Sequence, residues 1–169
     1  MNIFYLHNNP KQNARWHIDK HIVKMPTEYC QLLSSAHRVL DGTIFYEKNK
    51  NKRNVKRWKL SDERENFLMK VTHVNHPSNK WVRYSRSNYL KLWKLYISCL
   101  EEYSYRYNKL HGAGRLSSIL MSPPNNLKDF GHTEIPQAMP DYCKVDGNTI
   151  AAYRKFYQNE KKSFATWKN

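Results

Sequence analysis

The chain has 169 residues, with 29 Lys and Arg against 14 Asp and Glu, a formal charge of +15. One domain of this length buries about 70% of the surface its unfolded form exposes, so it needs neither disulfides nor a structural metal to fold. Five glycines and an apolar fraction of 40% exclude collagen-like and low-complexity classes, and no apolar run approaches the length of a membrane span.

Asn2 to Leu6 reads as a short strand or an extended arm. Asn9-Pro10 reads as an N-cap followed by proline at the first helical position, opening a helix from Lys11 to about Lys24. Pro26 either kinks one long helix or opens a second. Beyond it Tyr29, Leu32, Leu33, Ala36 and Leu40 recur at helical spacing, a buried stripe that Gly42 is placed to end. The segment 48–59, KNKNKRNVKRWK, carries seven basic residues and no acid and is expected to be an exposed loop or arm. Ser61 with Asp62 and Glu63 opens a short helix whose apolar face is Phe67, Leu68 and Val71.

After His76-Pro77, the residues Trp81, Ser85, Tyr89, Leu92, Trp93, Tyr96, Leu100, Tyr103 and Tyr107 recur every three or four positions. They predict one central helix of about eight turns, with Lys80, Arg83, Ser87, Lys91 and Lys94 as a second, basic stripe. Gly112 and Gly114 end it. Residues 112–147 hold four of the five glycines and four of the seven prolines, a long loop region interrupted by a short helix within 115–121. A last helix starts near Asn148 or Thr149 and docks through Ile150, Tyr153, Phe156, Tyr157, Phe164 and Trp167. The expected fold is mainly α. It is a compact single-domain helical bundle over 1–169, with a long kinked N-terminal helix, a long aromatic and basic central helix and a Pro/Gly-rich loop region.

A charge of +15 points to a polyanionic partner, and 12 Tyr and 5 Trp offer faces on which bases stack. The three cysteines, Cys30, Cys99 and Cys143, lie far apart without a C-x-x-C pair, the pattern of reduced thiols in a cytoplasmic compartment, that of a virus-infected host included. The opening MNIFYLHNNPKQ lacks the apolar core of a secretory signal. Neither G-x-G-x-x-G nor a phosphate-binding loop with Lys-Ser/Thr is present, so no nucleotide cofactor is expected.

The densest set of titratable side chains is the run 17–38, HIDKHIVKMPTEYCQLLSSAHR. Glu28, Gln31, Ser35 and Arg38 share one stripe. If the helix continues through Pro26, His17, His21, Lys24 and Glu28 also line up. A carboxylate among cations suits acid–base chemistry, although an acid in the first turn after a proline is also what any helix favours. His17-x3-His21 and His73-x2-His76 have metal-binding spacings, and with Glu28 they would make a metal-dependent nuclease or hydrolase. No H-E-x-x-H and no paired cysteines accompany them, and no metal site is assigned. A third reading is a non-catalytic basic nucleic-acid-binding protein.

Three features carry a resemblance. Asp19-x-His21 is followed seven residues later by Glu28; the opening M-N-I-F-Y-L-H is followed by T-E-Y-C-Q-L-L-S-S-A-H-R-V-L-D-G; and N-H-P at 75–77 leads into a helix ending E-E-Y-S-Y-R-Y, with A-A-Y-R-K-F-Y near the C-terminus. Together they resemble the pyrimidine-dimer DNA glycosylase family. The resemblance implies a compact helical enzyme whose N-terminal α-amine attacks C1′ of a damaged nucleotide to form an imine. A glutamate then assists glycosidic cleavage and strand nicking by β-elimination. An α-amine suits this because amines of that class titrate near pH 8, leaving a useful neutral fraction.

Carried over, Glu28 is the catalytic acid, and the amine is that of Met1, or of Asn2 if the methionine is removed. His21 would lie beside the carboxylate, and Lys24, Arg38, Lys80 and Arg83 would hold phosphates of a kinked duplex. His17, Lys20, Gln31, Lys52, Arg53, Lys56, Arg57, His76, Lys91 and Lys94 complete the candidate DNA contacts. The substrate would be a damaged or modified pyrimidine in duplex DNA, extruded from the stack, with neither metal nor cofactor. The chain departs from the family in four places. Asn2 follows Met1, so the methionine is expected to be retained. Thr27 stands where the family has an arginine, and the segments 48–59 and 112–147 have no counterpart. Lys20 or Lys24 is the alternative amine.

Overall fold

The computed structural model describes residues 1–168. Asn9 caps α1 (Pro10–Trp16) by accepting the Gln12 N–H through its side chain, with Pro10 in the first turn. The helix stops because the His17 ring donates from Nδ1 to the Asn13 carbonyl at 2.7 Å, occupying the acceptor that would continue the ladder, while the His17 N–H turns to Ala14. The chain restarts as α2 (Asp19–Asp41), which runs through Pro26 without ending. The N-terminal break therefore falls at His17–Ile18, not at Pro26. Proline in a helix interior costs about 3 kcal/mol. Here Ile22, Met25, Tyr29, Leu32 and Leu33, all buried, pack this stretch of α2 into the core and offset that cost.

Arg106 locks the break. It donates to the carbonyls of Arg15 and His17, to Asp19 and to Glu102, and it is itself buried. Asp19 is thus employed in the fold.

The basic segment is not a loop. β1 (Thr43–Lys48) and β2 (Asn54–Lys59) pair antiparallel, Thr43 opposite Lys59 and Lys48 opposite Asn54. Asn49 closes the turn by accepting the backbone N–H groups of Asn51 and Arg53. The short helix expected after Ser61 is α3 (Arg64–Phe67), with Leu68 buried but Phe67 exposed.

The central helix is two. α4 (Pro77–Val82) ends at Arg83, and α5 (Arg86–Tyr107) begins after Ser85, whose backbone is extended. Asp129, reaching over from the loop region, accepts from the Ser85 and Ser87 hydroxyls and the Ser87 N–H and holds the joint open. Residues 112–147 are mostly irregular, as expected, apart from short turns of helix that include α6 (Ser117–Leu120). Asn148 caps α7 (Thr149–Glu160).

The molecule is a mainly helical single domain with one small hairpin. α2 and α5 form its central pair, with α1 against α5 and α4 against α2. One core joins Ile3, Ile22, Tyr29, Leu33, Leu92, Tyr96, Leu120 and Tyr153. The three cysteines are buried and unbridged. Among the described residues no helix is long and apolar enough to cross a membrane.

Candidate active site at the N-terminus

The first six residues do not join a sheet. They form no regular element, Ile3 to Leu6 are buried, and α1, α2 and α7 hold them by hydrogen bonds. The Phe4 N–H donates to the Tyr29 hydroxyl at 3.3 Å, and Tyr29 donates to Nε2 of His17 at 3.1 Å. One step on, the Leu6 N–H donates to the Asn13 side chain at 3.0 Å, while Arg154 of α7 donates to the Leu6 carbonyl. Tyr29 follows Glu28 directly, so pinning the arm at Phe4 delivers the chain terminus to that carboxylate.

The Met1 nitrogen lies 3.7 Å from Oε2 of Glu28, and Lys24 reaches Oε1 at 2.8 Å from one turn earlier on α2. The Met1 and Glu28 side chains are only 5% and 14% exposed, whereas Lys24 is 68% exposed. The Met1 side chain packs on the core and anchors the amine beside it. The carboxylate is therefore shielded, bracketed by two nitrogens and open on its Lys24 side.

A second wall comes from the loop before α4. His76 caps α4 by accepting the Ser78 N–H at Nδ1, which leaves its Nε2 protonated when the ring is neutral. Burial first, then the Met1 ammonium and His73, lower its pKa below the ordinary histidine value, while Glu28 pulls the other way. The charge on His76 is thus disfavoured by burial and coupled to the charges of both Met1 and Glu28. The loop is braced from behind. Asn79 donates to the Thr72 carbonyl, Arg83 donates to the Val74 carbonyl and to Asn79, and the Thr72 N–H meets the Ser35 hydroxyl on α2. His73 sits in the left-handed region at φ 48°, a conformation uncommon outside glycine and fixed here by that bracing.

The other expected residues fall into two groups. Several are committed to the fold. Both ring nitrogens of His17 are used, by Asn13 and Tyr29. His21 does not flank Glu28; it stacks on Phe4 at 4.0 Å and bonds the Tyr157 hydroxyl, about 10 Å along the helix axis from Glu28. Arg38 is not a phosphate ligand. It is buried and donates to the carbonyls of Trp58, Glu65, Leu68 and Met69 and to the Glu65 carboxylate. Arg83 braces the loop, and Arg57 pairs with Glu47 at 2.7 Å.

The rest reach the surface. Lys20 lies over the Phe164 ring, Gln31 is half-buried one turn past Glu28, and Lys80 is exposed on α4. Lys91, over the Tyr5 ring, and Lys94 line a cavity of about 380 Å³ shared with Ile3, Tyr5, Asn13 and Trp81. Lys52, Arg53 and Lys56 stand exposed on the hairpin. Asn2 is half-buried.

The metal reading loses its geometry. Among the described residues no three His, Cys, Asp or Glu side chains are grouped to hold an ion. His17 and His21 are spent in the core, leaving His73 and His76 without the partners that reading requires.

Asn13, Tyr29, Thr72 and Asn79 are positioning residues that the sequence does not single out. Tyr29 and Thr72 work through contacts 25 and 37 residues away, Asn13 and Asn79 through backbone groups seven residues back, and apolar periodicity signals neither kind. Comparison with protein-family models, curated proteins and solved structures gives no significant match, so the geometry of the amine, Glu28 and Lys24 is what a functional reading has to rest on.

Proposed function

We propose that this protein is a DNA glycosylase with AP-lyase activity on damaged or modified pyrimidines, in which the Met1 amine is the nucleophile and Glu28 its acid–base partner. One observation carries the reading. In a chain of charge +15, the N-terminal nitrogen is anchored 3.7 Å from a shielded carboxylate. An α-amine held there is suited to attack on an electrophilic carbon, with the carboxylate taking the proton that the amine sheds.

In the proposed sequence the neutral amine bonds to C1′ as the base departs with the glycosidic pair and takes a proton from solvent. Glu28 accepts the amine proton and returns it to the ring oxygen, which opens the sugar to an iminium. Glu28, free again, takes a C2′ proton to give the C1′=C2′ enamine. The nitrogen lone pair then re-forms the iminium as the C1′=C2′ pair moves to C2′=C3′ and the 3′-phosphate leaves with the C3′–O pair, nicking the strand. Water hydrolyses the imine to free the amine. Glu28 stabilises the cationic iminium electrostatically. Lys24, largely exposed beside the carboxylate, is placed to meet a backbone phosphate. Extrusion of a base requires somewhere to put it. The cavity lined by Ile3, Tyr5 and Trp81 begins two residues along the arm from the amine.

Borohydride reduction on abasic-site DNA tests this. The expected result is a covalent adduct that peptide mapping places on residue 1. Extending the N-terminus by two residues abolishes it, and Glu28→Gln slows its formation about 100-fold or more. An adduct mapping to Lys20 or Lys24 moves the nucleophile and refutes the Met1 assignment. No adduct at all, with DNA binding intact, leaves a binding protein.

A further inference from the structure

The β1–β2 hairpin touches the body mainly where β2 meets α2. A lone two-stranded ribbon is marginal in water, so its projection calls for a partner. Alternation sorts its side chains. One face carries Ile44 opposite Trp58, Tyr46 opposite Lys56 and Lys48 opposite Asn54. On it Ile44 is 49% and Tyr46 67% exposed, and the Lys56 ammonium lies over the Trp58 ring. The turn beyond adds exposed Lys50, Lys52 and Arg53. No acid lies on that face or in the turn; Glu47 is on the opposite face, paired with Arg57.

We infer that this hairpin is a DNA-docking arm that lies in a groove of the duplex away from the lesion, its cations on the phosphates and Tyr46 against sugar or base edges. The inference rests on the DNA reading above and adds a location to it. A two-stranded ribbon has the width of the major groove. The charge sits at the tip while the apolar residues sit nearer the base, the reverse of a hairpin that inserts into a membrane interface, where the apolar part leads.

The arm's position gives its reach. From Glu28 to Asp41, α2 rises about 20 Å at 1.5 Å per residue. Six-residue strands add about 20 Å more. At 3.4 Å per base pair, those lengths let the arm meet duplex up to about 12 base pairs from the reacting nucleotide, on one side of it.

Binding to abasic duplexes with flanks of 4 or 14 base pairs, lengthened on one side at a time, tests this with the full chain. A quadruple variant carries Lys50→Ser, Lys52→Asn, Arg53→Ser and Lys56→Ser; asparagine is chosen at Lys52 because its φ is 56°. Wild type is expected to gain about tenfold or more from one long flank and little from the other. The variant loses that gain, and its log K against log salt slope falls by about 3 to 4. Equal response to flank length in both proteins overturns the arm. So does wild-type capture by anionic vesicles in preference to DNA that the variant loses. Absence of an adduct in wild type, with the flank effect intact, instead strikes the glycosylase reading and leaves the arm standing.

Discussion

Arg38 and Lys80 look interchangeable in a basic sequence, yet the structure employs them oppositely. Arg38 holds β2, α3 and the loop after it to α2 through four carbonyls and one carboxylate. Its loss leaves buried acceptors empty and Glu65 without its partner. Arg38→Ala is expected to lower the unfolding free energy by about 3–5 kcal/mol in urea titration. A loss below about 1 kcal/mol would mean the guanidinium is dispensable there. Lys80→Ala, at an exposed position, leaves stability within about 0.5 kcal/mol and instead makes the salt slope of DNA binding shallower by about one. Stripe spacing put Glu28 and Arg38 on one face of α2, and that much was legible. What separates a reagent from a strut is the set of partners each meets, and those partners, Met1 and residues 58–69, lie far off in sequence.

At the scale of elements, local chemistry predicted starts better than interiors. The Asn9-Pro10, His76-Pro77 and Asn148 caps all stand where the chain announces them. Periodicity carried one feature too far. It bridged the gap between α4 and α5 because Trp81, Ser85 and Tyr89 stay in phase across a joint that Asp129 holds from the loop region. The charge of 48–59 masked a hairpin whose signals were present, a Thr-Ile-Phe-Tyr run, an Asn/Lys turn and a Val-to-Trp run. The hairpin leaves α2 through Gly42, where a Cβ would stand 2.5 Å from the Arg38 carbonyl oxygen and 3.1 Å from that of Lys59. Both neighbours are backbone and cannot yield cheaply. Gly42→Ala is therefore expected to cost about 1–3 kcal/mol in thermal or urea unfolding. It should also shift the backbone NMR signals of the hairpin more than those of α7. A variant as stable as wild type would show that the junction has slack.

Over the whole molecule, the histidines set how stability depends on pH. Burial holds His17 at about 4, His21 at about 3 and His37 at about 4, each well below the unfolded value near 6.5. Their ring nitrogens are already engaged, by Asn13 and Tyr29, by Tyr157, and by Tyr89 with Arg64. Between those values the unfolded chain binds protons that the folded chain refuses. Their contribution is therefore complete above about pH 6.5 and declines as pH falls toward 4. The carboxylates paired with arginine, Asp19, Asp41 and Glu65, are all held below their ordinary range, so their losses begin only at lower pH. Lowering the pH from 7 to 5 should thus remove several kcal/mol, at about 1.4 kcal/mol per pKa unit per histidine, while the arginine lattice is still intact. Proton uptake of about three per molecule should accompany unfolding at pH 5, measurable by calorimetry in buffers of different ionisation enthalpy. Replacing His37 by Gln, which retains a polar side chain but cannot titrate, should flatten the slope by about one third. A melting temperature constant from pH 7 to 5 would require these rings to be charged in the folded state. The Phe4–Tyr29–His17 relay that carries Met1 to Glu28 would then need a different proton arrangement, because a charged His17 could not accept from Tyr29.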